Sequence, residues 1–214
     1  MIRIVIADDH AVVREGLKRI VTSAPDMTVV GEAANGAEVM RQVRECDFDV
    51  LVLDLSMPGR SGMELIKLVR CEKPKLRILV LSMHEELQYA VRSIKSGASG
   101  YLTKESAPTQ LMQVLRKVAS GGAFISTGVA EQLALGSMLG SNSAAHEKLT
   151  DREFEVFRLI ATGMSVTEIA ARLNLSAKTI STHKANLMQK MHLQNQSELI
   201  RYAIKHGVAE PLEP

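Results

Sequence analysis

Arg3-Ile4-Val5-Ile6-Ala7-Asp8-Asp9 and Asp49-Val50-Leu51-Val52-Leu53-Asp54 share one plan: an aliphatic run that ends in carboxylates. Unbroken runs of Val, Ile, Leu and Ala predict strands buried on both faces, the pattern of a parallel sheet. In open α/β sheets, sites form beyond the carboxyl ends of the strands, near the point where strand order reverses. Asp8, Asp9 and Asp54 would emerge there together. Carboxylates that close repel one another unless a hard cation neutralises them, and carboxylate oxygens suit Mg²⁺ or Mn²⁺. A divalent-metal site for a phosphoryl group is the first expectation.

Working outward, strand-like runs at 3–7, 28–33, 49–54, 77–82 and 99–103 alternate with amphipathic stretches at 12–23, 36–45, 62–72, 86–95 and 109–119. Gly and Pro punctuate the joints, among them Pro25, Pro58-Gly59, Pro74, Gly97, Pro108 and Gly121-Gly122. Strict alternation predicts right-handed βαβ crossovers: an α/β fold, a (βα)5 doubly wound parallel sheet of flavodoxin-like type. Ser82 and Lys104 then fall at strand ends on the same edge as Asp8, Asp9 and Asp54.

After about residue 122 the alternation lapses. Thr127–Leu139 predicts a helix, and Gly140-Ser141-Asn142-Ser143-Ala144-Ala145 a flexible linker. From 149 onward four helices suffice, at 151–162, 166–173, 177–190 and 197–206, an all-α helix-turn-helix unit. Thr150-Asp151-Arg152-Glu153 predicts a capping box, and Ser165 and Ser176 predict helix N-caps. The expected division is therefore 1–122, a linker with a helix at 123–148, and 149–214.

Composition narrows the function. Aromatics are 3% of 214 residues, with no Trp, which argues against a stacking pocket for an aromatic ligand. Net charge is +2, too mild to point to nucleic acid by itself. Residues 165–206, however, hold six Lys/Arg against two Glu, a local excess on the helix-turn-helix where phosphate neutralisation would be needed. Cys46 and Cys71 lack metal-ligand spacing and are expected as free thiols in helical segments. No apolar run reaches the ~18 residues of a membrane span, and the chain opens directly into a strand, so a cytoplasmic protein without membrane association is expected.

Asp8-Asp9, Asp54-x-x-Met57-Pro58-Gly59, Ser82, Tyr101 and Lys104 resemble the receiver domain of two-component response regulators over residues 2 to about 120. The resemblance implies that Asp54 accepts a phosphoryl group from a sensor histidine kinase. It implies Mg²⁺ or Mn²⁺ held by Asp8, Asp9, Asp54 and the Ser56 backbone carbonyl. Lys104 would pair with Asp54 and then with the phosphate, and Ser82 and Tyr101 would form the switch. His10, beside the acidic pair, is expected to be a loop residue that tunes access.

The run Leu149-Thr150-Asp151-Arg152-Glu153, Ile160 to Ser165, Glu168-Ile169-Ala170, Leu173 and Ser176 to His183 resembles the LuxR-type DNA-binding domain. Together the halves resemble a NarL/FixJ-type response regulator. Helical spacing puts Ile180, Leu187 and Met191 on the buried stripe. Lys178, Thr179, Ser181, Thr182, Lys184, Ala185 and Gln189 are expected at double-stranded promoter DNA. His183 is open between a phosphate contact and packing. Leu199, Ile200 and Ala203 are the candidate dimer contact, with a homodimer expected on phosphorylation and RNA polymerase as a further partner.

Three rival readings fit these residues less well. An aspartyl phosphatase would need a second Asp two residues beyond the nucleophile, where this chain has Ser56, so no turnover enzyme beyond slow self-dephosphorylation is expected. An autoinducer sensor would need an aromatic-lined pocket. An idle receiver would have little use for Asp8, Asp9, Asp54 and Lys104 together.

Overall fold

The computed structural model describes residues 1–57, 62–83, 87–138 and 145–208. Its chain divides into two units, Met1–Ala134 and Leu135–Pro214.

In the first unit five strands, β1 (Ile2–Ala7), β2 (Met27–Ala33), β3 (Val50–Asp54), β4 (Arg77–Ser82) and β5 (Gly100–Thr103), form one sheet in the order β2-β1-β3-β4-β5. All four pairings are parallel. The doubly wound fold expected from the aliphatic runs is the one present. Between the strands lie α1 (Ala11–Thr22), α2 (Gly36–Glu45), α3 (Gly62–Glu72) and α4 (Leu87–Lys95), and α5 (Ala107–Ala119) follows β5.

The pleat sorts the strand side chains. Ile4, Ile6, Val50, Val52, Leu79, Leu81 and Leu102 form one core with Leu17 and Val21 of α1 and Leu111, Val114, Leu115 and Val118 of α5. Their neighbours Val5, Ala7, Leu51, Leu53, Ile78 and Val80 point to the other face and are equally buried. Central strands wrapped on both sides explain why β3 is buried along its whole length and reads as a continuous apolar run.

α5 begins two residues before the expected start. Pro108 marks a break by composition, yet it sits in the first turn of the helix, where its missing N–H costs nothing. Beyond α5 the chain returns to the sheet edge. Phe124 makes a parallel bridge with Gly100, its N–H donating to Ser99 O (3.2 Å) and its carbonyl accepting from Tyr101 N–H (3.0 Å). Helix α6 (Thr127–Met138) follows; Leu139, the expected last residue, lies outside the described residues. Of the expected linker at 140–145, residues 140–144 also lie outside them and Ala145 begins a 3-10 turn; Pro58 and Gly59 of the motif lie outside them too.

In the second unit a 3-10 turn (Ala145–Lys148) precedes α7 (Asp151–Ala161), α8 (Val166–Arg172), α9 (Ala177–Met191) and α10 (Gln196–Lys205). The starts are written in the sequence. Thr150 and Ser165 form capping boxes with Glu153 and Glu168, and Ser176 Oγ accepts from Thr179 N–H (3.0 Å). Between α8 and α9, Asn174 adopts a left-handed conformation (φ 52°), one of the few non-glycine types that tolerates it, and so tightens the turn. Phe154, Phe157, Ile169, Ile180, Leu187, Met191, Leu199 and Ala203 are buried within the unit. Lys190 of α9 ties back to Glu153 of α7 at 2.7 Å. Among the described residues no helix is long and apolar enough to cross a membrane.

Candidate functional site

β1 lies between β2 and β3, so the strand order reverses there, and Asp8-Asp9 follow β1 while Asp54 ends β3. Asp8 and Asp54 are each only 1% exposed. Lys104, one residue past β5, reaches over this edge: its Nζ lies 2.6 Å from Asp8 Oδ2 and 2.9 Å from Asp54 Oδ2. The sequence reading paired Lys104 with Asp54 alone, whereas the ammonium bridges both buried carboxylates. Asp54 Oδ1 accepts from the Ser56 N–H (3.1 Å), and Asp8 Oδ1 from the His10 N–H (2.8 Å).

The electrostatics follow from burial. Burial pushes the Asp54 carboxyl above its ordinary value, against the pull of Lys104 and the Ser56 N–H, and the Asp8 charge adds to the rise. Burial alone would lower Lys104, but its hydrogen bonds and charge interactions with Asp8 and Asp54 outweigh that and hold the ammonium above its ordinary range. A buried, partly desolvated carboxylate beside a fixed cation has the chemistry to act as a nucleophile, with a counter-charge in place for its product.

Asp8, Asp9, Asp54 and His10 each offer one ligand atom, all within 4.8 Å of one another. Three carboxylates at that separation suit a hard divalent cation. His10 was expected to tune access. Its Nδ1 lies 2.9 Å from Asp9 Oδ1 and 3.3 Å from Asp8 Oδ1, so the ring sits against the acidic pair itself. Arg14 was missed: its Nη1 donates to the Asp8 carbonyl (2.7 Å), gripping the loop from one turn up α1. A lone Arg on a helix carries no motif that would have singled it out.

Ser82 ends β4 fully buried, its carbonyl accepting from Lys104 N–H (2.8 Å), and Tyr101 on β5 is buried. Tyr101 thus lies on the strand that delivers Lys104, and Ser82 ends the neighbouring strand. Tyr101 also lines a cavity of about 290 Å³ with Leu87, Ser106, Phe124 and Val129.

On α9, Lys178, Ser181, Thr182, Ala185 and Gln189 are exposed and, at 3.6 residues per turn, fall within an arc of roughly 100°. Two further residues expected at DNA lie off that face. Thr179 is half-buried, its N–H and hydroxyl both engaged by Ser176 (3.0 and 2.7 Å) in the helix cap. Lys184 is half-buried and donates to Gln196 Oε1 (2.8 Å) at the start of α10. His183 is half-buried. The dimer candidates need a correction too. Leu199 and Ala203 are fully buried within their own unit, which α10 completes by packing, and only Ile200 of the three keeps exposed surface.

Residues 4–116 match the family model of the response regulator receiver domain, and residues 147–203 that of bacterial regulatory proteins of the luxR family. Response regulator UvrY of Escherichia coli (strain K12) is 32% identical over 97% of this chain and 96% of its own length. Oxygen regulatory protein NreC of Staphylococcus carnosus is 38% identical over 95% and 97%. Among solved structures, the RcsB response regulator of Salmonella typhimurium aligns with a TM-score of 0.66 at 33% identity, covering 94% of this chain and 96% of that one. An RcsB–DNA complex aligns with a TM-score of 0.59 at the same identity and coverage. With a receiver sheet carrying a lysine-bridged carboxylate pair and a LuxR-type helix-turn-helix after it, the chain belongs to the NarL/FixJ-type response regulators.

Proposed function

We propose that this regulator accepts a phosphoryl group on Asp54 from a sensor histidine kinase and thereby controls its binding to promoter DNA. The observation that carries this is the Lys104 ammonium held between two buried carboxylates at the sheet's switch point. Asp54 attacks phosphorus, a P–O bond forms as the P–N bond of the phosphohistidine breaks, and the departing imidazole keeps the electron pair. Lys104 then serves the phosphate oxygens as a point charge. Asp8, Asp9, Asp54 and the Ser56 carbonyl would hold Mg²⁺ or Mn²⁺, which when bound offsets charge on the transferring group. His10 and Arg14 keep the acidic loop in place.

Phosphorylation adds roughly −1.5 to −2 charge and strong acceptor oxygens. The Ser82 hydroxyl and the Tyr101 ring are the elements that answer it, on β4 and on the strand that carries Lys104 into the site. Ser56, in place of a second acid, leaves Asp54 without a partner for rapid turnover. The exposed face of α9 enters the major groove, with Lys178 on phosphate and Ser181, Thr182, Ala185 and Gln189 toward the bases. RcsB, a relative at 33% identity, has been solved as a DNA complex and as two dimers on two parallel DNAs, which supports a dimeric DNA-bound form here, joined through Ile200 and its exposed neighbours on α10. RNA polymerase is a further partner at the promoter.

Intact mass after incubation with acetyl phosphate and Mg²⁺ tests the acceptor. One labile phosphoryl adduct is expected on the wild type and none on Asp54→Asn. An adduct of equal yield on the variant would overturn the assignment.

A further inference from the structure

The hydroxyls on the outer face of α9 have already committed their hydrogens. Ser181 Oγ donates to the Ala177 carbonyl (2.9 Å), and Thr182 Oγ1 donates to the Lys178 carbonyl (3.0 Å). A hydroxyl carries a single hydrogen, so what each presents outward is lone pairs alone. Both residues are exposed, and one turn further on Ala185 presents a methyl group. With Thr182 Oγ1 turned to the helix backbone, its Cγ2 methyl remains for the groove. The cation on this face, Lys178, sits at the second helical position, and an ammonium suits phosphate rather than base edges.

In the major groove each base pair shows a distinct edge. Guanine offers two acceptors, N7 and O6, whereas adenine offers the N6 donor and thymine the C5 methyl. Acceptor hydroxyls face guanine's acceptors with no hydrogen between them. Adenine N6–H supplies the missing donor, and the methyls of Thr182 and Ala185 match thymine. Cytosine N4 is also a donor, but its pair lacks the methyl. Resting on the reading of α9 as the recognition helix, the geometry points to A·T pairs at the centre of each half-site, read by Ser181 and Thr182 as hydrogen-bond acceptors and by Thr182 and Ala185 through thymine methyls. In this chain the middle of the recognition helix is a specificity element that disfavours guanine on the strand it reads and favours A·T over G·C through the thymine methyl.

The test uses the full chain, treated with acetyl phosphate and Mg²⁺, and selection from duplexes with randomised half-sites. Enrichment of A·T at the central positions is expected. In the selected site, replacing each central adenine by purine, which lacks N6, should weaken wild-type binding roughly 5- to 100-fold. The same replacement should have no further effect on the Ser181→Ala, Thr182→Ala double variant. Replacing central thymine by uracil should cost a smaller factor that Ala185→Gly removes. Enriched guanine at those positions, or purine tolerated by the wild type, would overturn the inference while leaving DNA binding intact. Failure to enrich any sequence would overturn the recognition-helix reading and this inference with it.

Discussion

Lys104→Met isolates the charge balance on which the site depends. The Lys104 side chain is 10% exposed and both partners lie inside the fold, so solvent screens the pairs weakly. At an effective dielectric of about 20, contacts of this length each carry a gross attraction of roughly 6 kcal/mol. Most of that is offset by the cost of taking three charges out of water, yet removing one partner leaves the others buried and uncompensated. Such losses run to about 3–5 kcal/mol. For a unit of this size that lowers Tm by roughly 10–20 °C. Methionine keeps the length and apolar stem, so the loss reports charge. Scanning calorimetry of the full chain with and without Mg²⁺ is the assay. The receiver transition of Lys104→Met should fall by that amount without metal, and saturating Mg²⁺ should recover much of it, because the cation neutralises the same carboxylates. A variant as stable as the wild type without metal, or one indifferent to Mg²⁺, would refute the reasoning.

Gly62→Ala sets two effects against each other: alanine favours helix by about 1 kcal/mol, but its Cβ would stand 2.6 Å from Leu55 Cα and 2.9 Å from Leu55 O. Backbone so near Asp54 gives way only at about 1–3 kcal/mol, so net destabilisation and slower phosphoryl uptake are expected, and a stabilised variant would contradict the packing. Burial pushes Glu153 up, but hydrogen bonds from Lys190 and Thr150 and the Lys190 charge hold its carboxyl below the ordinary 4.5. Folding thus favours the ionised form, and its contribution is complete above about pH 4.5 and lost as pH falls through the lower folded-state value. Lys190 is 41% exposed and the pair is screened, so Glu153→Gln should cost about 1 kcal/mol at neutral pH and flatten the acid limb of unfolding of the second unit. An acid limb unchanged in the variant would remove Glu153 from it. Phe124→Ala keeps the backbone bridge to β5 but loses half-buried packing against the core and Lys117, so the receiver should lose about 1–2 kcal/mol in urea unfolding with Asp54 still phosphorylated; a loss of labelling instead would tie Phe124 to the site.

The sheet and its acidic edge were legible because parallel strands buried on both faces leave unbroken aliphatic runs, and because Asp54, Ser82 and Lys104 each fall where such a run stops. Helix starts at Thr150, Ser165 and Ser176 were legible because capping chemistry is local. Contacts between distant segments were not. Nothing near Phe124 marks a bridge to Gly100, since a single bridge has no period. Lys104 reaching Asp8 as well as Asp54 depends on how strands from opposite ends of the unit lie in the sheet. On α9, periodicity placed the exposed arc, but the engagement of Thr179 by Ser176 and of Lys184 by Gln196 are side-chain choices outside any pattern. Leu199 and Ala203 looked surplus for a terminal helix because the depth of the groove that α10 fills is a tertiary property.

The most direct test of phosphorylation-controlled DNA binding is the affinity of the full chain for its selected duplex at fixed salt, with and without acetyl phosphate and Mg²⁺, in wild type and Asp54→Asn. Phosphoryl donor should tighten binding by about tenfold or more, about 1.4 kcal/mol, in the wild type alone. Equal affinity in both states of a wild type shown by mass to be phosphorylated, or the same gain in Asp54→Asn, would contradict it.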